Sequence, residues 1–352
     1  MRWRRVLRTT VKILFGAVVT LVALEIGVRI FSPQRHLSVT VNGWDPVMGT
    51  RQIPNAQGFV ACPEYDIELI INSQGLRDKE YPFTKPDGTR RILCLGDSFT
   101  CGYGVQATQT FAKQLEQLLN QGSEDSSWEV LNAGVGSTGT AQQLAYFEAE
   151  GYRYAPDFVV LCFFPGNDFW DNVVARIYNL EDGHLVQREA VPTSARKIQQ
   201  FVNLIPGYST LFARSHLLNL IKRRVAAMHF RQRTQPERKV QDWDAVLAHR
   251  DELTRHLMVA LRDACRMHSC QLVVMIIPPP SDSNLPSRTD SLKQFLHTQD
   301  IRYIDLAGPL ARFTSEESAE PEPLYYPADG HWTEAGHRVV AQTLLQFLKE
   351  KN

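Results

Sequence analysis

The sequence lacks an excess of charge of either sign. Its 352 residues include 38 lysines and arginines and 38 aspartates and glutamates, so the formal net charge is zero. This balance gives no support to nucleic acid as a partner, because polyanions are attracted by a basic surface. Glycine-rich phosphate and dinucleotide loops are missing, as are the cysteine and histidine spacings of zinc sites. We therefore expect no nucleotide and no metal.

Cysteine is also scarce, with six residues in the whole chain. Cys94 and Cys162 lie within apolar, strand-like runs, and we expect them to be buried thiols. Cys265 and Cys270 flank the junction between a helical pattern and a strand. In a domain outside the cytoplasm these two could form a disulfide, and the sequence leaves that open.

One long hydrophobic run is present, from Ile13 to Phe31, and its only charges are Glu25 and Arg29. A helix over this run spans roughly 30 Å, about the thickness of a hydrocarbon core. Basic residues precede it, namely Arg2, Arg4, Arg5, Arg8 and Lys12. The positive-inside rule therefore predicts a single-pass anchor in the inner (cytoplasmic) membrane, with a cytoplasmic N-terminus and a periplasmic or otherwise extracytoplasmic domain.

Two points about this run stay open. A cleaved signal peptide is the alternative to an anchor, although Leu21-Val22-Ala23 matches a cleavage site poorly. Glu25 and Arg29 are four residues apart, so they can pair on one helix face. Both side chains could instead reach toward water.

The rest of the chain divides into a lead-in and a main domain. Residues 1–31 form the basic stub and anchor, 32–88 an irregular lead-in with one hairpin, and 89–352 the main domain. Nearly all-apolar strands alternate there with helical patterns, which is typical of an α/β fold whose parallel sheet is covered on both faces. Predicted strands cover 91–95, 128–131, 157–164, 271–277 and 301–304, and predicted helices cover 111–119, 141–150, 245–267, 291–297 and 333–348.

The alternation is interrupted at about 170–244, where we predict a helical, basic insertion. Apolar residues cluster at 217–221, and the basic run is opposed only by Glu237. The run consists of Arg214, Lys222, Arg223, Arg224, Arg231, Arg233, Arg238 and Lys239. A lid, a membrane-surface helix, a patch for an acidic polymer and a plain solvated insertion all stay open.

Chemically active residues follow the predicted strands. Ser98 stands where an apolar run ends, and Asp329 and His331 lie two positions apart before the last predicted helix. A serine hydroxyl reacts at neutral pH when a base, oriented by a carboxylate, removes its proton. In an extended segment, residues i and i+2 face the same side, so Asp329 and His331 can converge on one site.

Four blocks of residues, in this order, resemble the SGNH (GDSL-type) hydrolase superfamily. They are Gly96-Asp97-Ser98-Phe99-Thr100, Asn132-Ala133-Gly134-Val135-Gly136-Ser137, Gly166-Asn167-Asp168 and Asp329-Gly330-His331. The resemblance covers roughly 89–170 and 270–345. It implies a flavodoxin-like three-layer α/β/α fold, ester chemistry and no cofactor. The Asp-x-His spacing, followed by Trp332, is more similar to a membrane-anchored envelope branch that contains periplasmic polysaccharide O-acetyltransferases than to the commoner Asp-x-x-His.

The resemblance also implies a catalytic triad. Ser98 would be the nucleophile, His331 the general base and then acid, and Asp329 the carboxylate that orients the imidazole. Asp97 would orient the turn or cap the helix that follows. His337, in the last predicted helix, is the competing histidine, and we expect a structural or surface role for it.

An oxyanion hole is implied by the same blocks. Its donors would be the Asn167 side-chain amide, the Ser98 main-chain N–H, and an N–H from the second block that is normally a glycine's. Ser137 occupies that glycine position, with Gly136 as its substitute, and a main-chain donor survives a change of side chain if the backbone angle allows it.

Three functions fit these residues. The first is a serine esterase that cleaves acyl or acetyl esters of a small molecule, lipid or glycan. The second is an O-acyltransferase that modifies an envelope or extracellular glycan with the same triad. The third is a non-catalytic glycan- or lipid-binding module on a hydrolase scaffold, which the intact serine, asparagine, aspartate and histidine disfavour. The membrane is a further expected partner, through the N-terminal helix, whereas the oligomeric state is not predicted.

Overall fold

The computed structural model describes residues 2–32, 41–61, 64–121, 127–191, 215–221, 224, 243–279, 286–316 and 322–350. Two compact units are present. The first comprises Met1–Val39 and Lys197–Val240, and the second comprises Thr40–Arg196 and Gln241–Asn352.

The first unit contains a long N-terminal helix, α1 (Arg2–Phe31). Its segment Val6–Phe31 has a mean hydropathy of 2.2 and is long and apolar enough to cross a membrane, features that a signal sequence shares. Arg29 Nε donates a hydrogen bond to Glu25 Oε1 at 2.8 Å, so of the two possibilities left open by the sequence, the structure shows pairing on one helix face.

Glu25 makes a second set of contacts within this unit. Its carboxylate accepts hydrogen bonds from the Ser215 hydroxyl at 2.8 Å and from the N–H groups of His216 and Leu217, each at 2.9 Å. These donors begin the helical stretch 216–221. The first N–H groups of a helix have no partner within it, so Glu25 acts as an external cap.

The second unit opens with two antiparallel hairpins where the sequence predicts one. Strand β1 (Asn42–Asp45) pairs with β2 (Gly49–Gln52), and β3 (Gln57–Ala61) pairs with β4 (Asp66–Ile70). Alternate residues of β4 are buried, which produces a small apolar cluster of Val41, Ile67, Leu69 and Ile71.

A five-stranded parallel sheet forms the centre of the unit. From Thr89 onward, the described elements are β5 (Thr89–Gly96), α2 (Ser98–Cys101), α3 (Phe111–Asn120), β6 (Ser127–Gly134), α4 (Thr140–Ala149), β7 (Phe158–Phe163), α5 (Asp168–Ala175), β8 (Tyr178–Glu181), β9 (His184–Gln187), α6 (Trp243–Met267), β10 (Gln271–Ile276), α7 (Pro286–Thr298), β11 (Arg302–Asp305), α8 (Ala307–Glu316) and α9 (Glu334–Lys349). The strand order is β11-β10-β7-β5-β6. Every neighbouring pair is parallel.

Helices cover both faces of this sheet, which confirms the predicted three-layer α/β fold. Leu93 and Leu95 of β5 join one core cluster with side chains of α4 and α6. Ile92 and Cys94, the alternate residues of β5, join a second cluster with side chains of α3 and α9. A strand buried on both faces needs apolar residues at every position, which explains the uninterrupted apolar runs.

The structure also differs from the sequence prediction at the start of the insertion. Residues 178–187 form the antiparallel hairpin β8–β9 inside the region predicted as a helical insertion. The disulfide that the sequence leaves open between Cys265 and Cys270 is not formed. The five cysteines that the structure describes are free thiols, and Cys270 Sγ donates a hydrogen bond to the Cys265 carbonyl. Apart from Arg224, the basic run of the insertion lies outside the described residues.

Candidate active site

Ser98 lies at the carboxyl end of β5, as the first residue of α2. The Phe99 N–H donates a hydrogen bond to Asp97 Oδ1 at 2.9 Å, so Asp97 caps this short helix as predicted. Gly96 permits the sharp turn, because a Cβ there would lie 2.1 Å from Thr100 Oγ1. Ser98 itself is half-buried, with its hydroxyl at the edge of the sheet.

A buried arginine, which no sequence motif indicates, binds the carbonyl groups at the end of this helix. The Arg77 guanidinium donates hydrogen bonds to the carbonyls of Cys101 and Gly102, at 2.8 and 2.7 Å. It also donates to the carbonyls of Glu68 and Val105, at 3.0 and 2.8 Å. A cation is favourable at the carboxyl end of a helix, where unpaired carbonyls concentrate negative partial charge.

His331 reaches Ser98 from the far end of the chain. Its Nε2 lies 2.7 Å from Ser98 Oγ, and its Nδ1 forms a short hydrogen bond with Asp329 Oδ2. Although partial burial acts to raise the pKa of Asp329, the hydrogen bond and charge of His331, and then the Tyr65 hydroxyl, hold it below its ordinary value. The structure thus brings together the three side chains expected to form the triad.

The convergence of Asp329 and His331 has a different origin from the one expected. The intervening Gly330 has φ +84°, in the left-handed region, so the segment is a turn and not an extended strand. The Gly330 N–H donates to the Tyr326 carbonyl at 2.8 Å, and the Tyr326 N–H donates to the His331 carbonyl at the same distance. Side chains from the two ends of this turn meet because the backbone reverses between them.

Two residues of the lead-in contact the same turn. The Tyr65 hydroxyl donates to Asp329 Oδ2 at 3.0 Å. The Glu64 carboxylate accepts the N–H of Ala328 at 3.1 Å and that of Asp329 at 2.8 Å. No local sequence pattern indicates these contacts, since 264 positions separate Tyr65 from Asp329.

Asn167 stands at the carboxyl end of the neighbouring strand β7. Its Nδ2 donates to Asp97 Oδ2 at 3.2 Å, and its position directly precedes α5. An amide nitrogen has two hydrogens, so Nδ2 has a second one to donate. Burial raises the pKa of Asp97, and burial together with the charge of Asp97 raises that of Asp168 well above its ordinary range.

The second block follows β6 and runs beside the nucleophile turn. A Cβ at Gly134 would lie 2.2 Å from the Cys101 nitrogen, so glycine is required for this close approach. Ser137 is exposed and has φ +62°, in the left-handed region. Gly136 is buried beside Tyr103, and its carbonyl lies 3.4 Å from Asn42 Nδ2. The backbone at Ser137 therefore has the conformation that glycine adopts most easily.

His337 lies apart from this chemistry, as expected. It is completely buried in α9, where its Nδ1 accepts the Phe111 N–H at 3.1 Å. Burial, with smaller effects from Arg77 and His331, lowers its pKa to about 3. Across the residues that the structure describes, no group of three or more His, Cys, Asp or Glu side chains is arranged to hold a metal ion.

Comparison with known proteins identifies the family. Among solved structures, an acetylxylan esterase from Geobacillus stearothermophilus is 13% identical, covers 73% of this chain and 93% of its own, and gives a TM-score of 0.43. A psychrotrophic esterase from Pseudoalteromonas sp. is 13% identical, and the match covers 75% of this chain and 98% of the esterase, with a TM-score of 0.40. None of the curated proteins matches the chain. Residues 94–339 match the model of the GDSL-like lipase/acylhydrolase family, and the chain therefore belongs to that family, as a serine ester hydrolase of the SGNH superfamily.

Proposed function

We propose that this protein cleaves carboxylic (acyl or acetyl) esters through an acyl-Ser98 intermediate. The observation that carries the proposal is the 2.7 Å contact between His331 Nε2 and Ser98 Oγ, with Asp329 on the other ring nitrogen. A base within hydrogen-bond reach of the hydroxyl, itself oriented by a carboxylate, is the arrangement that activates serine.

The proposed reaction has two steps. His331 Nε2 takes the proton of Ser98 as its oxygen attacks the acyl carbon, and the same proton then passes to the departing alcohol. Water next attacks the acyl-serine, His331 takes the water proton, and Ser98 recovers its hydrogen as the acid leaves. Asp329 stabilises the imidazolium in both steps without taking its proton.

Three N–H donors are proposed to stabilise the tetrahedral oxyanion. They are the second hydrogen of Asn167 Nδ2 and the main-chain N–H groups of Ser98 and Ser137. The left-handed φ of Ser137 supports the choice of this residue over Gly136. Each such donor typically lowers the activation barrier by about 3 kcal/mol.

Labelling with a fluorophosphonate tests the nucleophile. We expect the full chain in detergent to be labelled, and Ser98→Ala to be blank and at least about 10⁴-fold slower in ester hydrolysis. Ser73→Ala serves as a control, because this serine lies in the lead-in and pairs with Glu80. A wild-type chain that takes up no label would favour the third function, a binding module.

An O-acyltransferase is the second candidate, favoured by the Asp-x-His-Trp spacing. Trp332 is completely buried, so in this motif it packs the turn and leaves the chemistry to His331. Both functions share the acyl-enzyme and differ in whether water or a sugar hydroxyl attacks it. An acyl-ester donor incubated with and without oligosaccharide separates them, since acyl transfer in excess of free acid supports the second.

The family implies an ester-bearing substrate, of which acetylated glycans are one class. We propose that α1 is retained as a single-pass anchor with its basic end in the cytoplasm and the hydrolase domain outside. The contact of Glu25 with Ser215, His216 and Leu217 supports retention, because a cleaved helix would leave this unit without its cap. Mass spectrometry of the membrane-extracted protein tests this, and a mature chain that begins after Phe31 would contradict it.

A further inference from the structure

The turn that carries Asp329 and His331 is supported from outside by the lead-in. Within the turn, the main hydrogen bonds join Tyr326 to Gly330 and to His331. The N–H groups of Ala328 and Asp329 point away from these bonds and are both taken by Glu64. The Glu64 carboxylate therefore holds the backbone of the turn at Asp329.

Tyr65 contacts the side chain of Asp329. Its hydroxyl donates to Oδ2 of Asp329, the same oxygen that His331 Nδ1 contacts. Its ring packs against Tyr326 with centroids 4.9 Å apart, and the Tyr326 hydroxyl donates to the Gly104 carbonyl at 2.9 Å. This chain of contacts joins the Asp329 turn to the loop that follows the Ser98 helix.

We propose that Glu64 and Tyr65 are positioning residues of the acid–base arm, which hold Asp329 and thereby the imidazole of His331 in line with Ser98. The inference rests on the proposed function, because it assigns roles relative to that triad. It places part of the active-site support in a segment that precedes the family match, which begins at residue 94.

The two residues have opposite electrostatic effects on His331. Tyr65 donates to Asp329 and so reduces the negative charge that stabilises the imidazolium, whereas Glu64 adds negative charge nearby. Three further titratable groups among the described residues lie near the imidazole of His331. They are Asp97 and His337, both close enough to interact with it, and Tyr103, whose ring centroid is 5.6 Å away. Losing Tyr65 should therefore favour protonated His331, and losing the charge of Glu64 should disfavour it.

Three variants of the full chain test the proposal, with kcat, KM and the pH profile of kcat/KM measured on p-nitrophenyl acetate. Tyr65→Phe should lower kcat by about 5-fold and move the acid limb up by roughly 0.5 pH unit. Glu64→Gln keeps an oxygen acceptor for the turn, so kcat should stay within about 2-fold while the acid limb moves down by a similar amount. Glu64→Ala should lower kcat by about 10-fold with little change in KM, because the turn loses its tether.

Matched controls come from the same part of the chain and from a distant tyrosine. Glu80→Gln alters a lead-in carboxylate that binds Ser73, and Tyr152→Phe alters a tyrosine that stacks on His268. Both should behave as wild type. If Glu64→Ala fails to fold, the opposite shifts of the acid limb in Glu64→Gln and Tyr65→Phe still test the positioning role.

Two outcomes separate this inference from the proposed function. Unchanged kcat and unchanged acid limbs in Tyr65→Phe and Glu64→Gln, with normal fluorophosphonate labelling of Ser98, would overturn the positioning role alone. A wild-type chain whose Ser98 does not react would overturn the proposed function itself.

Discussion

Ser137 is a residue at which side chain and backbone requirements conflict. Its φ of +62° places a serine where glycine is favoured. The left-handed conformation costs a residue with a Cβ roughly 1–2 kcal/mol. The proposed role of Ser137 uses only its main-chain N–H, so the hydroxyl is not needed for it.

Two substitutions at Ser137 should therefore differ in their effect on the free energy of unfolding. Ser137→Gly should raise the free energy of unfolding by about 1 kcal/mol and leave kcat/KM within about 3-fold, because the N–H is kept. Ser137→Ala should leave both quantities nearly unchanged. Urea unfolding and ester hydrolysis check this pair, and a 100-fold loss of activity in Ser137→Ala would instead assign the role to the hydroxyl.

At the scale of elements, the short helix α2 depends on a residue from outside the sheet. Four carbonyls, including those of Cys101 and Gly102 at the end of the helix, are satisfied by the one guanidinium of Arg77. Arg77 is 1% exposed, so water cannot replace these hydrogen bonds if the side chain is lost. The geometry of Ser98 is therefore coupled to a distant part of the chain.

Arg77→Met should consequently destabilise the protein by about 3 kcal/mol or more, because it leaves buried carbonyls unpaired. Ester hydrolysis should also fall in the fraction that stays folded. Arg51→Met is the matched control, since Arg51 forms a partly exposed ion pair with Glu150 and should contribute less than about 1 kcal/mol. Equal stabilities of the two variants in urea would contradict this assignment.

Sequence patterns predict the elements of this fold better than the contacts between them. The run Phe158–Phe163 is apolar at every position and is a central strand, and the helix predicted over 333–348 is observed at Glu334–Lys349, with Thr333 as its N-cap. The hairpin Tyr178–Gln187 is missed because its strands have four residues each and two-residue periodicity is weak at that length.

In the candidate active site, too, residues in local motifs can be predicted from the sequence and long-range contacts cannot. Ser98, Asn167 and His331 could be proposed from the sequence because their motifs follow strands or precede a helix. Arg77, Glu64 and Tyr65 could not, because they bind backbone groups or one carboxylate oxygen across long sequence separations, and such contacts leave no local pattern.

At the scale of the whole molecule, stability should depend on a histidine that takes no part in catalysis. His337 is buried and neutral, and its pKa falls from 6.5 to about 3 on folding. The unfolded chain therefore binds this proton below pH 6.5 while the folded chain does not, so His337 contributes stability above pH 6.5 that is lost as the pH falls toward 3.

We expect the free energy of unfolding to fall by about 3 kcal/mol between pH 6.5 and about pH 4 through this residue. His337→Asn offers an oxygen to the Phe111 N–H without a titratable ring, so the decline should be smaller in this variant. Urea unfolding across that pH range provides the comparison, and parallel curves for the two proteins would show that His337 does not cause the decline.

The long separation between Ser98 and His331 has a consequence for synthesis of the protein. The serine leaves the ribosome 233 residues before the histidine that is proposed to activate it. Nascent chains and prematurely terminated products that end before His331 therefore contain the Ser98 hydroxyl without the base that is proposed to activate it, and we expect them to be inactive toward esters.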